Sequence, residues 1–303
     1  MLFKLNELWE RFLIPIDDPG SRLFHLNIVF TLLFIGVWLW WKGGWSWLKI
    51  RQICLRKKYW WNRSTRIDYQ IYFLNSVFKV FLFIPFLEIS YQVSQWVIQP
   101  LLRWNGEEFL GIQPHWSYIL LFTILAFIWD DFLRFFHHLL MHKVPWLWRL
   151  HKVHHSARIL TPITLYRTHP LESAMATIRN SLSLGVATGL FIFIFESRFN
   201  VITLMGVNTF GFLFNLFGSN LRHSHVPISF GFLEKIFISP KQHQIHHSKN
   251  PDHYDRNFGV SLVIWDRLYG SLVYSRQVNA PLHFGLRGHY RQSLWFQLFR
   301  PFY

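Results

Sequence analysis

The 303-residue sequence predicts an all-α fold, an integral membrane helical bundle with a cytoplasmic histidine-rich helical cap. Three observations predict it. The chain is 51% hydrophobic and 19% aromatic but only 16% charged, below the roughly 25% usual in soluble domains. Its apolar residues gather in runs of membrane-crossing length. Most of its 17 histidines cluster beside those runs rather than inside them.

Met1 to Arg22 mixes Lys4, Arg11 and Arg22 with Glu7, Glu10, Asp17 and Asp18, which suits an amphipathic interfacial segment better than a cleaved signal. Leu23 to Trp41 is the first spanning candidate. It ends among Trp38, Trp40, Trp41, Trp45 and Trp47, a grouping that suits a headgroup-level belt. From Lys42 to Arg66 there are eight lysines and arginines and no acid, which assigns that stretch to the cytoplasmic side. Ile71 to Ile98 holds Lys79, Pro85 and Glu88, and reads as one long kinked span or a tight hairpin. The third span begins near Trp116, reaches Trp129 and continues as helix to His142. Leu182–Phe195 and Val201–Phe217 read as a hairpin that leaves and returns on one side. Gly185 and Gly189 have the small-xxx-small spacing of close helix contacts.

The formal charge of +15 is spread along the chain between apolar runs, and no nucleic-acid recognition module accompanies it. Anionic headgroups and cytoplasmic loop placement account for it more simply. Cys54 is the sole cysteine, so no intrachain disulfide can form and thiolates cannot dominate a metal site.

Ten histidines form four clusters: His138 with His142; His151, His154 and His155; His223 with His225; and His243, His246 and His247. Residues three and four apart share a helix face, so each His-x-x-His-His directs three imidazoles to one side. Imidazole suits iron, zinc, copper or nickel, whereas magnesium and calcium prefer oxygen. Ten imidazoles exceed what one ion uses, which predicts two metals with open positions. A hairpin over 182–217 would place all four clusters on the basic, cytoplasmic face.

The motifs carry a resemblance. Asp131-Phe-Leu-Arg-Phe-Phe-His-His-Leu-Leu-Met-His142, Trp148-Arg-Leu-His-Lys-Val-His-His155 and Ser239-Pro-Lys-Gln-His-Gln-Ile-His-His-Ser248 resemble the boxes of the fatty acid hydroxylase / sterol desaturase superfamily. Asn257-Phe-Gly259 and Trp265-Asp-Arg-Leu-Tyr-Gly270 resemble its closing signature, and the likeness covers roughly Trp116 to Tyr274. It implies a non-haem centre of two iron ions, O2 as co-substrate and hydroxylation or desaturation of a lipid such as a fatty acyl chain or sterol. The ligands it implies are His138, His142, His151, His154, His155, His243, His246 and His247, with His223 matching a further histidine and His225 a position often not histidine. His169, in Thr168-His-Pro-Leu-Glu172, matches a motif of sterol-desaturase-like members and would support the site or face substrate. Arg134 and Leu139 depart from the pattern and bear on substrate placement.

Asp131, two turns before His138, and Asp255 and Asp266, beside the closing signature, are candidates to accept the ligands' outer N–H groups. Asp130 with Arg134 is a competing pairing on the first of those helices. No haem or flavin module is visible, so electrons would come from a separate ferredoxin- or cytochrome-type donor docking on a basic surface. The expected division is an interfacial and transmembrane region 1–115, a di-iron domain 116–274 and a cytoplasmic tail 275–303. The competing class is a histidine-rich membrane zinc protein, either hydrolase or transporter. The first would need a His-Glu-x-x-His box, which is missing, and the second would place its ligands inside the spans.

Overall fold

The computed structural model describes residues 24–196, 213–214, 219–288 and 290–299. Among them the secondary structure is helical, with two isolated β-bridges, Phe237–Leu262 and Ser248–Phe284, and no named strand. The described helices of six or more residues are α1 (His25–Trp41), α2 (Trp47–Leu55), α3 (Arg63–Trp104), α4 (Trp116–Lys143), α5 (Pro145–His155), α6 (Pro170–Phe195), α7 (Pro240–His246), α8 (Ile264–Tyr269) and α9 (Leu294–Phe299). The expected interfacial segment 1–22 and nearly all of the run 201–217 lie outside the described residues.

The region around Ile71–Ile98 is one continuous 42-residue helix rather than a hairpin. Asn62 starts it by accepting from the Ser64 and Thr65 amides, two N–H groups that would otherwise lack partners. Pro85 lies inside and removes one intrahelical donor. An α-helix of that length extends about 60 Å at 1.5 Å per residue.

Helix α6 packs along α3, with which it runs parallel, and against α4, which runs the opposite way. At the distal end, the loop after α3 bonds the end of α6, Leu110 N to Phe193 O at 3.0 Å and Ile112 N to Ile194 O at 2.9 Å. At the other end the C-terminus of α4 and the N-termini of α3 and α6 meet the histidine segments. The α3–α6 contact is the most extensive among the described elements, and small residues permit it. A Cβ on Gly185 would lie 2.7 Å from Ser90 O and 2.6 Å from Val93 Cβ, and one on Gly189 would lie 2.8 Å from Ser94 O. Ser181, one turn earlier, donates to Phe86 O at 3.2 Å. The glycine spacing legible in the sequence is therefore a packing seam.

By length and composition, one described helix, α6, is apolar and long enough to cross a membrane, and α1 is a shorter apolar helix of 17 residues. Charged residues interrupt α3 and α4. Lys79 and Glu88 lie in the first, and Asp130, Asp131 and Arg134 in the second.

The cap is tied to the bundle by a buried ion pair. Arg167 and Asp68 are fully buried with Nη1 2.7 Å from Oδ1. Arg167 also donates to Val153 O and Ser156 Oγ at the end of α5, to Ser64 O on α3, and to Gln292 Oε1 in the C-terminal segment. Ile67, Ile71 and Val153 form the apolar contact beneath it. A second small core joins Ile35 and Leu39 of α1 to Leu221, Val226 and Ile228, so the N-terminal helices hold the segment that carries His223.

Two outcomes are expected. Gly185→Ala lowers thermal stability in detergent by about 1–3 kcal/mol through overpacking, while Leu182→Ala on the exposed face leaves the melting temperature nearly unchanged. Asp68→Ala strands a buried guanidinium and costs about 3–5 kcal/mol, read as a lower denaturation midpoint.

Candidate metal centre

Each cluster reaches the cap from a different element. His138 and His142 occupy the last turns of α4, and His151, His154 and His155 lie on α5, which Pro145 opens at a position needing no amide donor. His243 and His246 lie on α7 with His247 at its end. Ser239 and Gln242 form a reciprocal capping box that sets the start of that short helix. His223 comes from the loop after residue 219.

These imidazoles converge as two groups. His138, His142, His151, His155 and His246 form one, and His154, His223, His243 and His247 form the other, with the facing nitrogens of each group within 4.8 Å of one another. The groups adjoin, because His155 of the first stacks on His247 of the second at 4.4 Å between ring centres.

Outer-nitrogen contacts explain why the nitrogens point inward. His138 Nδ1 lies 2.8 Å from Phe258 O, His246 Nδ1 2.7 Å from Arg256 O and His154 Nδ1 3.3 Å from Arg167 O. His151 Nδ1 lies 2.7 Å from Glu172 Oε1. A carbonyl or carboxylate oxygen can only accept, so each of these Nδ1 atoms carries the proton and each Nε2 keeps its lone pair. Across the two groups Nε2 atoms face each other: His142 to His155 at 3.1 Å, His154 to His223 at 3.0 Å, His223 to His243 at 3.0 Å and His243 to His247 at 3.2 Å. His151 Nε2 and His246 Nε2 are buried without any hydrogen-bond partner. His138, His151, His154 and His246 thus direct Nε2 lone pairs into the two groups, where lone pairs repel unless a proton or a cation lies between them. The donor set therefore fits two transition-metal ions, with all-nitrogen ligation that calcium and magnesium disfavour.

Burial keeps the imidazoles neutral. It pushes His151 and His154 down to about 3, and holds His138, His142, His155, His243, His246 and His247 well below the usual histidine range, with neighbouring imidazoles as further causes.

Not every expected residue joins the groups. His225 stands apart: its Nε2 bonds Ile53 O at 2.9 Å and its ring stacks on Tyr59 at 3.6 Å, so it fastens the loop to α2. His169 caps α6, accepting from Leu171 N at 3.2 Å, while its Nε2 contacts Leu298 O. Among the described residues, Asp131 and Asp266 hydrogen-bond to no histidine. Asp131 accepts from the Ser261 and Leu262 amides and the Trp265 indole, and Asp266 from the Phe258 and Gly259 amides. Together they pin the loop whose Phe258 carbonyl aims His138. Asp255 faces His142 Nδ1 at 3.6 Å, too far for a hydrogen bond, and pairs with Lys143 at 2.5 Å.

The carboxylate that does reach a histidine is Glu172, which sequence reasoning missed. Its signal was an acid three residues past His169, at the start of an apolar helix. The Phe258, Arg256 and Arg167 carbonyls were missed too, and backbone acceptors leave no residue-type signature.

Glu172→Ala is expected to weaken metal retention by about 10–100-fold, measured as metal remaining after a chelator challenge, with Glu172→Gln milder because its amide oxygen still accepts. Acid sensitivity should follow the depressed histidines. Unfolded imidazoles titrate near 6.5 while the folded ones stay neutral, so the unfolded state binds more protons below that value. Metal-free protein should be most stable above pH ~6.5 and lose stability progressively as pH falls from there toward ~3. Thermal melts at stepped pH test this, and a flat profile would contradict it.

Comparison with known proteins agrees with the geometry. The fatty acid hydroxylase family model matches residues 123–271. An alkylglycerol monooxygenase of Caenorhabditis elegans is 25% identical over 53% of this chain and 28% of its own length. The ornithine lipid hydroxylase OlsE of Rhizobium tropici is 27% identical over 68% of this chain and 56% of its own. Human cholesterol 25-hydroxylase is 30% identical over 58% of each. The chain thus spans between about a quarter and three-fifths of these relatives. No solved structure matches it. Residues 123–271, which contain every histidine of both groups, form a fatty acid hydroxylase domain.

Proposed function

We propose that this protein is a multi-pass membrane enzyme that hydroxylates or desaturates a lipid, using O2, two iron ions and electrons from a separate ferredoxin- or cytochrome-type donor. The observation that carries the reading is the division of nine imidazoles into adjacent groups of five and four within a fatty acid hydroxylase domain. A group of five nitrogens exceeds the four ligands of a closed zinc site, which favours iron over the zinc alternative.

His138, His142, His151, His155 and His246 would hold one ion, and His154, His223, His243 and His247 the other. Bound iron supplies the activation of O2 needed to attack an unactivated C–H bond. The chain's own residues orient and shelter that centre. Glu172 and the Phe258, Arg256 and Arg167 carbonyls hold the rings in place, and burial of both groups keeps bulk water away.

Membrane placement is supported by apolar surface that the fold leaves uncovered. Leu33 and Val37 on α1, Phe81 on α3, and Leu121 and Leu125 on α4 are more than half exposed, the arrangement expected where lipid rather than water is the neighbour. Trp40, Trp41, Trp45 and Trp47 are also exposed beside Lys42 and Lys49, as in an interfacial belt on the basic side. On this reading the histidine cap faces the cytoplasm, and regions 1–115 and 275–303 serve domain 116–274 by anchoring Arg167 through Asp68 and Gln292.

Incubation of iron-loaded protein with membrane lipids, a reduced donor and 18O2 tests the proposal. The expected result is a lipid product carrying one 18O, or a new double bond formed only with O2, and neither product with His246→Ala. Oxygen-independent lipid turnover would contradict it.

A further inference from the structure

A charged cluster lies between α4 and α6 just beyond the metal cap. Asp130 Oδ2 pairs with Arg134 Nε at 2.5 Å, and Ser183 of α6 donates to Asp130 Oδ1 at 2.9 Å. Arg179 of α6 lies close enough to act electrostatically on both Asp130 and Arg134. One of its nitrogens bonds Asn180 Oδ1 at 2.5 Å, while its Nε is buried with no hydrogen-bond partner. Two guanidiniums thus lie near one carboxylate, which is paired with Arg134 alone. Glu172, two turns earlier on α6, is committed to His151.

An Asp–Arg pair at i, i+4 would by itself be an ordinary helix contact worth little. The second arginine changes that. It places uncompensated positive charge against an apolar bundle, where ionisable groups persist when a partner or a ligand neutralises them. The cluster is open to a ligand, since the Arg134 and Asp130 side chains keep 36% and 31% of their exposure. Its position relates it to the chemistry. Arg134 is one turn before His138 on the same face of α4, about 6 Å along the axis, and Arg179 is two turns from Glu172, roughly 10 Å.

We propose that Arg134 and Arg179 form the polar-end subsite for the lipid substrate, which carries a carboxylate or phosphate. The proposal rests on the lipid-oxidation reading and narrows its substrate class. Guanidinium forks match both anions; Asp130, which accepts from Ser183, holds the Arg134 fork, and Asn180 Oδ1 accepts from Arg179. A lipid seated this way has its anionic end, rather than its chain terminus, beside the histidine cap.

The test is equilibrium binding of radiolabelled hexadecyl phosphate, palmitate and hexadecanol to full-length protein in micelles, with and without iron. Both anionic probes should bind tighter than hexadecanol by about tenfold or more, the factor expected of one charge-assisted hydrogen bond. Arg134→Gln and Arg179→Gln should remove that preference while hexadecanol affinity holds, which shows that the variants are folded. Asp130→Asn should strengthen anion binding, because it removes the competing carboxylate. Equal binding of anionic and neutral probes would overturn the proposal. So would a preference that survives both arginine variants, or full displacement of hexadecyl phosphate by inorganic phosphate, which would mark a free-anion site. The binding readout needs neither iron nor turnover. Lost preference with iron retained sinks the subsite alone, and retained preference in protein that takes up no iron sinks the oxygenase reading alone.

Discussion

Nine imidazoles buried in one cap can coexist only if they are neutral and their lone pairs have something to face. That constraint organises the rest of the structure. Neutrality follows from burial, and inward direction follows from acceptors behind the rings. Phe258 O, Arg256 O, Arg167 O and Glu172 each hold an Nδ1 proton, which leaves the opposite nitrogen free to ligate. The segments supplying those acceptors are themselves fixed. Asp131 and Asp266 clamp the loop around Phe258, and Asn257 adopts a left-handed conformation there, φ 55°, with its side chain bonded to Gln242 O.

The bundle serves the cap in the same way. Arg167 links α3, the end of α5 and the C-terminal segment through one guanidinium, while its carbonyl faces His154. A buried ion pair is weak evidence for added stability, but removing one partner is costly. Here the pair fixes register between distant parts of the chain. The Gly185–Gly189 seam sets how closely α3 and α6 approach, and so where Glu172 meets His151.

Much of this was legible in the sequence because helical spacing is a local property. The two His-x-x-His-His stretches and the His138–His142 pair each put imidazoles on one face before any fold is known, and the small-residue spacing of α6 marked its contact. His225 shows the limit. It lies two residues from His223, yet the loop turns it toward Ile53 and Tyr59. Asp131 and Asp266 share the limit, since an acid near a histidine in sequence can spend its oxygens on backbone amides. Glu172 and Asp68 were not legible because their partners lie 21 and 99 residues away. Pro85 left the course of α3 open, and packing against α6 accompanies its continuation as one helix.

On the proposed reading the two histidine groups are two metal sites of one centre. Metal analysis of protein purified in mild detergent without added metal tests it most directly. Two iron ions per chain are expected, with the content of both sites lowered in His243→Ala although that residue belongs to only one group. A folded chain holding a single ion, or none, would contradict it.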